Sequence, residues 1–270
     1  MKVEYVDDEN KSGEMRMLCN YYYFLYTIMV ISVMYITSFN ILADVYVETK
    51  KEFMDKWYPT LEYKDLLMRN RFSTLIKYIK GDIILLQEVT PYIRKKLSTV
   101  FGSDYNILPL SKHKTDNHNT GNLTMIRKNK FKNIIHTTFY VYDFAFGLTK
   151  ADDISIYNMH LHDSSKVKRK NQLKKIIDTF DINNKIIIGG DFNSNDKELH
   201  SMIKNLNFKM NVTDKKGTYL CEKPMIDYIY CYGFSEINGY IDNSISNKNC
   251  YTSTIKKYGS DHHPIYLKCL

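Results

Sequence analysis

The sequence predicts an α/β fold of four layers, two mixed β-sheets packed face to face with helices on the outside. Three observations point there. Apolar runs of strand length interleave with amphipathic helical stretches. Several of those strands follow one another without a helix, which suits two packed sheets better than one doubly wound sheet. Ile83–Leu86 and Ile186–Ile188 are apolar throughout, as expected of strands covered on both sides.

The elements follow in order. Met34–Leu42 reads as the first strand. Glu62–Lys80 reads as a helix, because Phe72, Leu75, Ile76 and Ile79 paint one face. Gly81 stops it, and Ile83–Leu86 follows as a strand. Thr90-Pro91 opens another helix with Pro at its first position and Ile93, Leu97 and Phe101 facing inward. Short strands are expected at Asn106–Leu110, Leu123–Ile126, Ile134–Val141 and Ile154–Leu161. Lys166–Phe180 is a second clear helix, apolar along Leu173, Ile176, Ile177 and Phe180. Its outer side carries Lys166, Lys168, Arg169, Lys170, Lys174 and Lys175. A strand at Ile186–Ile188, a helix over Asp196–Leu206 and strands at Met225–Cys231 and Pro264–Lys268 finish the chain.

A chain of 270 residues can bury a substantial core. It shows no internal repeat and no linker, so residues 34–270 are read as one domain, expected to be a monomer, behind an apolar extension at 1–33. The formal net charge of +8 favours an anionic partner: nucleic acid, a phosphorylated metabolite or an acidic membrane. The plain alternative is a Lys-, Asn-, Ile- and Tyr-rich composition whose lysines are solvated surface. Five cysteines without CxxC spacing indicate neither a disulfide framework nor a cysteine-rich zinc site. A reducing, intracellular compartment, cytoplasmic or nuclear, is the simpler expectation. Two sequons, at Asn122 and Asn211, would suit secretion instead.

The extension is ambiguous. No charged residue occurs from Met17 to Ala43, so residues 17–33 could associate with a membrane as an anchor or signal. The acidic opening lacks a signal peptide's basic start, and an extra apolar segment before the first core strand fits as well.

The informative pattern is repeated: an apolar strand runs into a polar residue that a core would not choose. Met34–Phe39 ends at Asn40, and Ile83–Leu86 at Gln87-Glu88. Ile154–Asn158 leads to His160. Ile186–Ile188 opens through two glycines into Asp191-Phe192-Asn193. Asp227 interrupts Met225–Cys231, and Asp261-His262 precedes the last strand. Singly, each reads as a turn former or helix cap; six in order are hard to explain that way. Glu88, Asp191 and Asp261 with Asn40 and Asn193 are hard oxygen donors suited to Mg²⁺. His160 and His262 could donate to phosphoryl oxygens as charge develops there. The zinc motif of metallo-β-lactamases, the binuclear phosphoesterase motif, the P-loop, the Rossmann glycines and the nucleophile elbow are all absent, and no organic cofactor is expected.

The order of Ser38–Leu42, Leu86–Val89, Asn158–Leu161, Gly190–Asn193, Ile226–Ile229 and Ser260–Pro264 resembles the endonuclease/exonuclease/phosphatase superfamily, which includes deoxyribonuclease I. The resemblance implies that superfamily's four-layer fold and a Mg²⁺-dependent phosphodiesterase, with Mn²⁺ able to substitute. It implies that Asn40 and Glu88 hold the metal and that Asp191 orients or deprotonates water. It further implies that Asn193 places the phosphate and His160 contacts a non-bridging oxygen. Asp261 would fix His262, which stabilises the transition state, with Asp227 in support. Arg169 and Lys168, on the helix after the His160 strand, are read as substrate contacts.

Asn40–Tyr46, Trp57-Tyr58-Pro59 and Gly217-Thr218-Tyr219 look like the deadenylase and 2′-phosphodiesterase branch, which implies a 3′-exonuclease on RNA. Glu222, where deadenylases place an aromatic residue, departs from it. Glu88–Tyr92 and Asn171-Gln172-Leu173 look like the tyrosyl-DNA phosphodiesterases, so a repair enzyme is the competing reading. A sphingomyelinase-like lipid phosphodiesterase and a non-catalytic binding protein on the same fold are the remaining alternatives.

Overall fold

A computed structural model describes residues 33–48, 61–114, 119–210, 217–218, 225–242 and 250–270. The apolar N-terminal extension, Trp57-Tyr58-Pro59, Tyr219, Glu222 and the Asn211 sequon lie outside them. The compact unit spans Met34–Cys269. Among the described residues, no helix is long and apolar enough to cross a membrane.

Among the described residues, twelve strands form two mixed sheets, of seven and five strands. The first contains β1 (Met34–Asn40), β2 (Ile83–Val89), β3 (Tyr105–Ile107), β4 (Ser111–Lys112), β5 (Gly121–Arg127), β11 (Ile237–Ile241) and β12 (Ile265–Cys269). The second contains β6 (Ile134–Val141), β7 (Phe144–Ala151), β8 (Ile154–His160), β9 (Lys185–Asp191) and β10 (Asp227–Tyr232). Their orders are β11-β12-β1-β2-β5-β3, with β4 beside β5, and β10-β9-β8-β7-β6. Each sheet has one parallel pair, β1 with β2 and β8 with β9; the other pairs are antiparallel.

Three cores make four layers. Ile36, Ile83, Leu85, Ile156, Ile187, Ile229 and Leu267 fill the space between the sheets. Leu173, Ile176, Leu199 and Ile203, from α5 (Lys166–Ile177) and α6 (Lys197–Lys204), cover the five-stranded sheet. Met68 and Leu75 of α3 (Met68–Leu75), Ile93 and Leu97 of α4 (Pro91–Phe101) and Tyr258 of α7 (Cys250–Tyr258) cover the other. Two short helices, α1 (Asp44–Glu48) and α2 (Tyr63–Leu66), lie in the β1–β2 connection.

The structure corrects several sequence expectations. The Glu62–Lys80 helix is broken at Leu67, whose backbone is extended (φ −65°, ψ 128°). The groups that would close the helix there are engaged elsewhere: Met68 N–H donates to Asp44 Oδ1 at 2.5 Å, and Leu66 O accepts from Arg71 Nε at 2.6 Å. Of the strand expected at Asn106–Leu110 only Asn106 and Ile107 are extended in β3, and β4 begins after it at Ser111. Strands β7 and β11 and helix α7 were not expected from the sequence.

Beneath the sheets' common edge, Gln87 Nε2 donates to Asn158 Oδ1 at 2.8 Å, and Asn158 Nδ2 donates to Leu123 O at 3.0 Å. These buried amides replace water for one another and tie the two sheets together directly below the polar strand ends.

Candidate active site

The register of the parallel strands builds the site. In one sheet Asn40 lies opposite Gln87, the residue before Glu88. In the other, Asp191 is flanked by His160 on β8 and Asp227 on β10 at the same register. The loop before β12 adds Asp261 and His262 from the first sheet's side, anchored by Ser260 Oγ donating to Asn40 O at 2.7 Å. Residues spread over more than two hundred positions therefore meet at one edge.

Local backbone features aim these groups. Pairing of β2 with β5 slips between Leu86 and Val89, and Glu88 within that bulge has φ +59°. A left-handed Glu costs about 1 kcal/mol or more, and the bulge turns its carboxylate toward Asn40 instead of continuing the pleat. Asn193 is likewise left-handed, φ +49°, which Asn tolerates well. Gly190 has φ +144°, and a Cβ there would lie 1.8 Å from Met159 O. A Cβ on Gly189 would lie 2.5 Å from Leu85 Cδ1 of the facing sheet. The glycine pair thus admits both the ladder and the close sheet contact that deliver Asp191.

Asp191 Oδ2 is the hub. It accepts from Asn40 Nδ2 at 3.1 Å, and the Nε2 atoms of His160 and His262 each stand 3.7 Å away. Its other oxygen accepts from Asn193 N–H at 2.7 Å. Burial, followed by the charge of Asp227, holds the Asp191 carboxyl above the usual carboxylate range. Glu88 is raised too, first by burial, with His160 opposing.

The partner of His262 is Asp227, not Asp261. His262 Nδ1 donates to Asp227 Oδ2 at 2.9 Å, while Asp261 Oδ1 is 4.0 Å from Nε2. The antiparallel β9–β10 pairing sets Asp227 beside Asp191 and beneath the ring, a relation that sequence distance conceals. Burial alone would lower the His262 pKa, but Asp227, then Asp261 and Asp191, outweigh it and hold the ring well above its ordinary value. These neighbours favour its protonated form.

Asn40 sits between the two sheets' carboxylates. Its oxygen accepts from Leu42 N–H at 3.1 Å, and its nitrogen donates to Glu88 and Asp191. Asn40 therefore joins two carboxylates through its nitrogen, and its oxygen keeps a second lone pair beside the one Leu42 N–H occupies. Asn193 Nδ2 donates to Leu161 O at 2.9 Å. Arg169 Nη1 donates to His162 O and Asp163 O, both at 2.9 Å, bracing the loop after β8, and Lys168 is exposed on α5.

Arg71 was not anticipated. This guanidinium is 3 % exposed. Nη1 donates to Ile41 O and Gly259 O, both at 2.6 Å, and Nη2 to Leu42 O and Asp44 Oδ1. It clamps the end of β1 to the loop carrying Asp261-His262. The signal was present: Met68, Arg71 and Leu75 fall on one helix face, where Arg is out of place.

A divalent cation fits these donors. Each Glu88 oxygen accepts one hydrogen bond, from Asn40 Nδ2 and from Ala43 N–H, both at 2.9 Å, which leaves a lone pair on each. Four carboxyl groups, Glu88, Asp191, Asp227 and Asp261, are crowded together, with Asp261 acting on Glu88 and Asp227 on Asp191, and a bound cation would relieve their repulsion. Asp191, Asp227 and His262 also bring one donor atom each within 4.8 Å of one another. Glu88, with a lone pair free on each carboxylate oxygen, is the donor in the site best suited to a hard divalent cation.

Comparisons with known proteins accord with this geometry. Residues 37–262 match the sequence profile of the Endonuclease/Exonuclease/phosphatase family. The chain belongs to that family. Like its members, it is a metal-dependent phosphoester hydrolase. No curated protein matches its sequence. Its fold is similar to an endonuclease/exonuclease/phosphatase from Bacteroides vulgatus (TM-score 0.64, 17 % identity, 88 % of this chain and 99 % of that one). It is also similar to truncated TDP2 of Caenorhabditis elegans (TM-score 0.58, 17 % identity, 88 % and 98 %). A third similar structure is the mannosyl-6-phosphatase Bt3783 of Bacteroides thetaiotaomicron (TM-score 0.60, 14 % identity, 88 % and 99 %). At these identities the likeness is one of fold.

Proposed function

We propose that this family member is a Mg²⁺-dependent nuclease that hydrolyses phosphodiester bonds of nucleic acid, acting as a 3′-exonuclease on RNA or single-stranded DNA, with Mn²⁺ able to substitute. The observation that carries the reading is the convergence on Asp191 Oδ2, where two imidazole Nε2 atoms stand at 3.7 Å on a buried carboxylate.

The chemistry follows from what each group can hold. Asp191 is buried and raised, so it is a stronger base than a solvated carboxylate. It takes a proton from water, while Asn193 N–H and Asn40 keep its two oxygens oriented. The His262 cation donates from Nε2 to a phosphoryl oxygen as charge accumulates there, and Asp227 fixes the ring through Nδ1. His160 donates from the other side. Glu88 would hold the metal, with Asn40 beside it as a further oxygen donor. When bound, the metal neutralises phosphate charge and orients the ester. In-line attack needs positioned donors and no covalent enzyme intermediate.

A substrate panel tests the reading: poly(A), structured RNA, single-stranded DNA, abasic DNA, 5′-phosphotyrosyl DNA, sphingomyelin and a sugar phosphate, each with Mg²⁺ and then with chelator. Chelator-sensitive shortening of a single strand from its 3′ end, absent in Asp191→Asn, is expected. Hydrolysis confined to phosphotyrosyl DNA, lipid or a phosphomonoester would overturn it.

A further inference from the structure

We propose that a row of rings leading away from His160 is the track on which a single-stranded nucleic acid lies, its bases on the rings and its backbone over Lys174 and Lys175. This deepens the nuclease reading and rests on it.

The row begins inside the site. The ring centroid of His160 is 6.1 Å from that of His113, which is 5.1 Å from Phe144. Phe144 is in turn 5.1 Å from His162, with the planes 31° apart. His113, Phe144 and His162 are each partly buried, so the rings reach the surface along one edge instead of lying in a sealed core. The β6–β7 turn, which leads directly into Phe144, carries the next rings. Tyr142, two residues before Phe144, is 55 % exposed and left-handed, φ +57°. Its hydroxyl accepts from Asn171 Nδ2 at 3.1 Å, which fixes the ring over α5. Beyond it, Tyr140 is 43 % exposed, with Lys114 Nζ 4.5 Å from its ring centre.

Between this turn and α5 lies a groove of about 640 Å³ that includes Tyr140, Tyr142, Asn171, Lys174 and Lys175. The charges on α5 are not equivalent. Lys166 and Lys170 are drawn to Asp196 and Glu198. Lys174 and Lys175 make no ion pair among the described residues; Asp178 is the carboxylate lining the same groove. Two unneutralised ammonium groups beside exposed, fixed rings match the chemistry of a nucleic acid strand: π-faces for bases and cations for phosphates. Rings so placed can stack only on unpaired bases, since a duplex hides their faces. An acidic membrane would be met by a protruding apolar surface, and this one is concave and hydrogen-bonded.

The test uses the full chain carrying Asp191→Asn, so that binding is read without turnover. A fluorescein-labelled single-stranded oligonucleotide is titrated by anisotropy at several salt concentrations. Tyr142→Asn removes the ring at a left-handed position that Asn tolerates, and it should weaken binding about tenfold. Lys174→Gln with Lys175→Gln should reduce the slope of log affinity against log salt by about 1.4. In the Asp191 parent, hydrolysis of bis(p-nitrophenyl) phosphate should stay within about twofold for both variants, since a small diester does not reach the track. Unchanged oligonucleotide affinity and slope in both variants, with the small diester still cleaved by the parent, would overturn the track and leave the hydrolase standing. Track-dependent binding without any diester cleavage would instead defeat the nuclease reading alone. Binding to phosphatidylserine vesicles through the same residues, in place of the oligonucleotide, would also overturn the proposal.

Discussion

The imidazole of His262 is tethered through Nδ1 to Oδ2 of Asp227 at 2.9 Å, which points its Nε2 at Asp191, 3.7 Å away. Asp227 sets the ring's orientation and favours its cationic form. Asp227→Asn should keep the fold and lower kcat about 10²–10⁴-fold, with KM much less affected, because the lost interaction matters most as charge develops. Steady-state kinetics on any cleaved diester checks this; a KM effect with kcat intact would assign Asp227 to binding.

Arg71 serves five acceptors from a dry site. Replacing it with Leu should destabilise the protein by about 3 kcal/mol or more, since four carbonyls and Asp44 lose their donor. Urea denaturation reads the loss. Arg71→Lys should recover part of the stability but less of the activity, because an ammonium cannot span Ile41, Leu42 and Gly259 together.

Much of the site was legible because its residues end apolar strands, and strand periodicity fixes which side chains reach the edge. Asn40, Glu88, His160 and Asp191 are all of this kind. What stayed hidden depends on contacts between distant elements. Asp261 adjoins His262 in sequence, yet Asp227 holds the ring. The break at Leu67 is made by Asp44 and Arg71, not by Gly or Pro. Strand β7 was masked by Gly147 and Lys150, and β11 by Asn238-Gly239, which on their own read as a turn. Helix α7, with Thr252, Ser253 and Thr254 in its middle, lacks residues of high helix propensity.

Gly190→Ala should be severe for so small a change. Its Cβ would strike Met159 O in the β8–β9 ladder, and relief requires moving the strand that presents Asp191. A loss of about 3–5 kcal/mol or failure to accumulate as soluble protein is expected. An active, normally stable variant would show that the backbone around Asp191 is not as constrained as described.

His200 supplies a pH dependence away from the active site. It is 6 % exposed, receives the Tyr230 hydroxyl on Nδ1 at 2.8 Å and donates from Nε2 to Ser194 O at 3.1 Å. Burial lowers its pKa from the model-peptide value of 6.5. A neutral His so held contributes stability fully above the unfolded value, and loses it as pH falls below about 6.5. His263, pushed down to about 4 chiefly by burial, acts in the same direction. His262, Asp191 and Glu88, whose pKa values the fold raises, act in the opposite direction, so the test compares two proteins: His200→Gln, which keeps an acceptor and a donor, should shift the stability difference between pH 5.5 and 7.5 in favour of pH 5.5, as urea denaturation at both values reads.

Glu88 and Asn40 come from one sheet, His160, Asp191 and Asp227 from the other, and the amide bridge of Gln87 and Asn158 lies just beneath them. Catalysis therefore doubles as a gauge of how well the two halves of the sandwich are seated. Mild denaturant that loosens their contact should silence the enzyme while circular dichroism still records intact strands and helices. A fragment preserving either sheet alone would be inert however well it folded.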